Sequence, residues 1–284
     1  MKPPRWHLQA RWDRFWHAEL PEIRLAAFRH AILLSLLAYL LHRWRHAGEW
    51  LTTAGFHPSL AVDAVHGPQV PLIPAAWLPL FGALLFGGLA LAVLGWLRRP
   101  ATWLTLALLS YANLADPVAA FTLNRVYCFA LLVLALAPAP RDSAIGPTIP
   151  AWPVRLLQLG LLVHYFSSGL CKSLYGAWLG DADVLWRQMQ GIFMTDSAAW
   201  LVRSLPRWAF TAQQHLALGF ELLAPLLLGV RRLRPLGLVL GVGMHVFIAV
   251  NMHLLVYFSL QMLCFYVLFI DAERLERLWP RWLR

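Results

Sequence analysis

One segment of the chain, Gln158-Leu-Gly-Leu-Leu-Val-His164-Tyr165-Phe-Ser167-Ser168-Gly169-Leu-Cys171-Lys172, places an imidazole, a phenol, two hydroxyls, a thiol and an amine inside an apolar run. On an α-helix His164, Ser168 and Cys171 fall on one stripe, and Tyr165, Ser168 and Lys172 on a neighbouring one. Polar stripes at membrane depth turn from hydrocarbon toward a bundle interior, where they do chemistry or bond helices together. Desolvation would hold Lys172 as a neutral amine able to accept a proton, the requirement for a general base. Lys172 also stands near the outer end of its apolar run, so a side chain reaching out to the headgroups is the other reading.

Further polar groups sit in other apolar runs. Gln214 and Glu221 are seven residues apart and share a helix face. Glu221 is either the counter-charge of Lys172 or Arg125, or a protonated, hydrogen-bonded carboxyl. His245 is a ligand-facing group or a helix–helix hydrogen bonder. Arg29, beside His30, snorkels or holds a phosphate headgroup. Asn124-Arg125 lies just inside the outer boundary of its run. HExxH and cysteine clusters are absent, as are a phosphate-binding glycine loop and a GxSxG elbow, so metal, haem and nucleotide are not expected. Cys128, Cys171 and Cys264 read as small packing residues.

These groups need elements to hold them. Of the 284 residues 60% are hydrophobic and 13% charged, against about a quarter charged in soluble domains. Mean hydropathy is +0.58. A spanning helix takes about 20 apolar residues. The candidate spans are residues 25–41, 75–97, 101–114, 119–137, 154–174 and 210–230. The stretch 235–270 is long enough for two more, turning near Asn251-Met252-His253. The expected fold is therefore all-α: a polytopic transmembrane bundle of about eight spans, forming one domain over residues 1–284. Segments 1–24 and 271–284, which mix Trp, Phe and Leu with arginine, are expected to lie in the membrane interface. Residues 1–21 lack the apolar core of a signal peptide.

The net charge of +10 does not indicate nucleic acid, because the arginines lie in short clusters between apolar runs and no soluble domain is available to form a groove. They fit the positive-inside rule instead. With the N-terminus in the cytoplasm, outside loops hold only Arg43, Arg45, Arg187, Arg203 and Arg207, and cations inside outnumber them about three to one. Eight spans, both termini cytoplasmic and a place in the cell membrane follow as expectations, with membrane lipids as the first partners.

Tyr165-Phe-Ser-Ser-Gly169-Leu-Cys-Lys172, followed by Trp178-Leu-Gly180, resembles the HTTM (horizontally transferred transmembrane domain) family, which includes the membrane part of vitamin K-dependent gamma-glutamyl carboxylase. Phe28-Arg29, Ala54-Gly55-Phe56-His57-Pro58, Glu221-Leu-Leu-Ala-Pro225, Arg232-Leu-Arg234, His245 and Phe258-Ser259 with Met262 follow in the family's order. The resemblance implies that Lys172 is a base toward a reduced quinone or a lipidic substrate. His164, His245 and Glu221 would tune it, and Tyr165, Ser168, Asn124, Arg125 and Trp178 would line the substrate. Cys171-Lys172 stands where the carboxylase has two lysines, and Arg125 where the family has a histidine. The chain ends soon after its last span, so carboxylation of protein glutamate is not expected. A non-catalytic membrane scaffold or partner-binding protein is the alternative.

Overall fold

The computed structural model describes residues 7–57, 69–116, 121–143 and 146–278. Lys2, Trp6, Pro58, the start of the fourth predicted span and residues 279–284 lie outside them. The described residues form two compact units, one from residues 1–153 with 275–284 and one from 154–274.

In the first unit an N-terminal helix α1 (His7–His17) exposes Trp12 and partly exposes Phe15, as a segment lying along an interface would. A short strand β1 (Glu19–Pro21) then leads into α2 (Ile23–Trp44), with α3 (Ala47–Leu51) after it. A 3-10 turn (Ala75–Trp77) opens α4 (Leu78–Val93), followed by α5 (Arg98–Ala115) and α6 (Thr122–Leu136). Strand β2 (Thr148–Pro150) pairs antiparallel with β1, Leu20 opposite Ile149. This strip departs from the all-α expectation. Prolines at 21, 147 and 150 disfavour helix on both sides, and two extended pieces satisfy each other's main-chain groups instead. Phe28, Ile32 and Leu36 bury the inner face of α2, and the buried Ser35 hydroxyl bonds that of Tyr127 on α6 at 2.7 Å. Gly88 lets α4 approach α5, because a β-carbon there would stand 3.2 Å from Thr105 Oγ1.

The second unit is built around α7 (Trp152–Tyr175), α10 (Arg207–Gly229), α11 (Arg234–Asn251) and α12 (Val256–Tyr266). Two short helices, α8 (Val184–Gln188) and α9 (Asp196–Ser204), occupy the segment between α7 and α10. Pro153 opens α7 and Pro235 opens α11, where a missing amide costs nothing. Thr195 caps α9 by accepting from the Ala198 amide. The break between α11 and α12 spans Met252–Leu255, held by Leu254 in the left-handed region and by the His253 amide donating to Phe193. A 3-10 turn (Val267–Phe269) ends α12, and α13 (Ala272–Leu278) follows, its last residues counted with the first unit.

Helix α11 is polarised in an unusual sense. Gly237, Gly241, His245 and Asn251 are buried, while Leu236, Val239, Val242, Val246 and Val250 are exposed. Small and polar residues face protein, and apolar ones face outward, as in helices solvated by lipid.

A helix stands at each segment read as a span. Four pass by length and apolarity as membrane-crossing, namely α2, α4 with its opening turn, α7 and α11, and the bent pair from Val256 to Leu278 makes a fifth if counted as one. The chain is mostly helical, with apolar helices fit to cross a membrane.

Candidate functional site

The second unit gathers most of the candidate residues around α7. Gly169 fixes the approach of α10. A β-carbon at 169 would lie 3.0 Å from the Leu222 amide nitrogen and 3.1 Å from Glu221 Cβ, so any larger residue would have to push the crossing apart by a few tenths of an ångström. Three residues on, Lys172 Nζ donates to Glu221 Oε1 at 2.5 Å, and Ser168 Oγ donates to the other carboxylate oxygen at 3.3 Å. Of the partners open to Glu221, its neighbour is thus Lys172. The ion pair is asymmetric, with side-chain exposure of 30% for Lys172 and 8% for Glu221. The lone, dry amine is therefore an amine held on a carboxylate, each group offsetting part of the other's desolvation cost.

The face of Trp178 closes over the same ammonium, ring centroid 4.7 Å from Nζ, which adds a cation–π attraction. Two devices place that ring. The amide of Gly176 bonds Lys172 O and ends α7, and Ala177 turns the chain with φ at 57°. Gln214 of α10 then holds the returning segment, its Nε2 donating to the carbonyls of Trp178 and Asp181 and its Oε1 accepting from the Leu185 amide. Gln214 and Glu221 do share a face, but the glutamine anchors main chain rather than facing the lysine.

One turn deeper on α7, the hydroxyl of Tyr165 lies 2.6 Å from His245 Nε2 on α11 and 2.6 Å from the hydroxyl of Tyr266 on α12. All three side chains are buried. Gly241, one turn before His245, makes room, since a β-carbon there would collide with the Tyr266 hydroxyl. The other imidazole nitrogen, His245 Nδ1, is buried without a hydrogen-bond partner among the described residues. A buried polar atom without a partner is costly, and such atoms collect where a ligand or water belongs. Aromatic rings of Phe220 and Phe258 pack beside Tyr165 and His245.

His164 is half-buried, its ring near Phe258 at 6.5 Å, and Cys171 is exposed. The stripe of His164, Ser168 and Cys171 is therefore split, and the stripe of Tyr165, Ser168 and Lys172 is the one turned toward α10 and α11. Asn124 and Arg125 belong to α6 in the first unit, where the buried Asn124 side chain hydrogen-bonds Tyr39 and Arg125 is exposed. The cluster of the second unit is assembled without them.

No known protein family, curated protein or solved structure matches the chain.

An open groove of about 280 Å³ between α10 and α11, lined by Phe220, Val239, Gly243 and Phe247 among others, reaches the outer side of the same aromatic wall. Among the described residues, clusters of His, Cys, Asp or Glu able to hold a metal ion are absent. Sequence reasoning missed Tyr266 and Gly241. Ser259, Met262 and Tyr266 are spaced as one buried helical face, which was the available signal for the tyrosine.

Proposed function

We propose that this chain is a multi-pass cell-membrane protein of the HTTM kind, with eight spans and both termini in the cytoplasm. We read it as acting on a quinone-like or lipidic substrate through the cluster on α7. The observation that carries this reading is the buried chain Tyr266–Tyr165–His245, which ends in an unpartnered imidazole nitrogen, with Tyr165 two turns before Lys172 of the Lys172–Glu221 pair on α7.

The residues fit a planar phenolic ring. Phe220 and Phe258 offer aromatic faces, and His245 Nδ1 offers the polar atom that a buried hydroxyl or carbonyl would satisfy. A reduced quinone supplies an acidic hydroxyl and the electrons of its ring. A substrate hydroxyl placed at the Lys172–Glu221 pair can pass its proton to that pair. Trp178 stacks its ring on the Lys172 ammonium at 4.7 Å, which favours the charged form there. Tyr165 passes hydrogen bonds between His245 and Tyr266 in either direction, since a hydroxyl both donates and accepts. The groove beside Phe220 gives a lateral approach from lipid.

Replacing Lys172 by Ala and by Arg, and Glu221 by Gln, tests this. Oxidation of added quinol by dissolved dioxygen, which takes the two electrons and two protons the quinol loses, in membranes holding each variant should fall at least about tenfold for a general base. Turnover unchanged in Lys172→Ala removes the base role.

A second reading has its own support. The tight crossing at Gly169 with a salt bridge across it is what interhelical bonding in a non-catalytic scaffold or partner-binding protein looks like. In that case Lys172→Met and His245→Leu lower melting temperature in detergent, and every reaction assayed is the same with and without them.

A further inference from the structure

The first unit holds a second polar site, independent of the chemistry around Lys172. A cavity of about 360 Å³ lies between the start of α2, the start of α5 and the chain that leaves α6. This is at the lower end of the roughly 300–1,000 Å³ of small-ligand pockets. Three arginines line it, Arg29, Arg98 and Arg99, with Glu22 as the carboxylate among the lining residues. Arg29 Nη1 stands 3.6 Å and Arg98 Nη1 3.8 Å from the same oxygen, Glu22 Oε1. Both separations exceed hydrogen-bond length. Arg99 Nη2 donates to Ala137 O at 2.9 Å, one of the five N–H donors of its guanidinium.

The charges do not cancel, because three guanidiniums share one carboxylate. Side-chain exposure is 13% for Arg29 and 16% for Glu22, so these two opposite charges lie within the cavity, while the uncancelled charge is carried by the exposed Arg98 and Arg99. Arg98 is 45% exposed and stands at the mouth. The remaining walls are apolar, from Leu25, Leu134, Pro138 and Ile149. Guanidinium forks match phosphate oxygens in geometry and charge, and an apolar wall beside them suits what a phosphate is esterified to.

We propose that this cavity binds a phosphate-bearing anion, held by Arg29, Arg98 and Arg99, with Glu22 setting how much of their charge is free. Two sources offer that chemistry, the headgroup of an anionic phospholipid and a free phosphate. The apolar walls, and a place at the ends of apolar helices, favour the lipid.

The test uses the full chain in detergent, with native mass spectrometry for bound lipid and thermal unfolding for stabilisation. Phosphatidylglycerol, phosphatidylcholine and inorganic phosphate are added separately. Wild type should retain phosphatidylglycerol over phosphatidylcholine, and Arg98→Gln should weaken retention by about fivefold, the size of one cation's attraction to anionic lipid. Glu22→Gln should strengthen it. Ala139→Trp, at an exposed position on the rim, should reduce retention with every charge intact. Stabilisation by inorganic phosphate that Arg98→Gln abolishes, without lipid retention, assigns the site to the free anion. The proposal is overturned if Arg98→Gln and Ala139→Trp retain phosphatidylglycerol as wild type does while inorganic phosphate has no effect. It is overturned equally if Arg231→Gln, outside the cavity, lowers retention as much as Arg98→Gln.

Discussion

The hydroxyl of Tyr165 lies 2.6 Å from His245 Nε2, and this one contact ties α7 to α11 in the interior of the second unit. The same oxygen reaches Tyr266, so three helices meet at a single phenol. Tyr165→Phe keeps the ring and deletes the junction. It leaves His245 and Tyr266 without that partner, and we expect a loss of about 2–4 kcal/mol, from two buried groups at about 1–3 kcal/mol each with part recovered by water. Chemical or thermal unfolding in detergent measures it; a variant as stable as wild type means that the hydroxyl is not at the junction.

The Lys172–Glu221 pair predicts non-additivity. Lys172→Met strands a buried carboxylate and should destabilise by about 3 kcal/mol or somewhat less, given the partly exposed amine. Lys172→Met with Glu221→Leu should recover much of that loss. A double-mutant cycle reads the coupling, and a coupling near zero would show that the two groups do not meet.

Helix spacing gives two glycine predictions. Gly169→Ala pushes α10 off α7 and should cost about 1–3 kcal/mol, as overpacking does. Gly241→Ala meets the Tyr266 hydroxyl and should cost at least as much. Gly243→Ala, where nothing stands within 4 Å of the added carbon, should instead be neutral or stabilising. Melting temperatures of the three variants should separate accordingly.

Ala177 adopts φ of 57°, which disfavours any side chain with a β-carbon. Ala177→Gly should stabilise the turn that seats Trp178 by about 0.5–1 kcal/mol. If stability falls instead, the turn is not left-handed.

One pH dependence lies outside the helices of the bundle. Arg187 hydrogen-bonds Asp181, as does the Asp183 amide, and these interactions hold the Asp181 carboxyl below its ordinary value of 3.8. A depressed carboxylate contributes stability that is complete above that ordinary value. The contribution is lost as pH falls through the lower folded value. The segment between α7 and α10 should therefore be cleaved only modestly faster below about pH 4 than at neutral pH, because the pair is exposed and contributes little. Asp181→Asn should flatten that profile.

The eight apolar segments were legible because length and charge poverty survive without knowledge of neighbours, and a helix occupies each. The break after Asn251 was legible for the same reason. Azimuth was not. His164 and Tyr165 are adjacent, and spacing alone gave both an inward stripe, yet only Tyr165 is buried. Which stripe turned inward was decided by Gly169, whose missing side chain admits α10 on one side. Pairings across a hundred residues, such as Tyr165 with Tyr266, leave no periodic signal. Asn124 and Arg125, which the family resemblance assigns to the substrate, belong to α6 of the first unit. The β1–β2 strip was missed because three-residue strands carry too little alternation to detect.

The outward valines and inward glycines of α11 mean that this helix carries its solvent preference inverted. Transferred to water, it would hide its valines and expose its histidine. That is the reverse of the packing that brings His245 to Tyr165. Detergents that imitate a bilayer poorly should therefore scramble the interior of this unit before they unwind its helices. Circular dichroism would then stay high while the tyrosine–histidine junction was already gone.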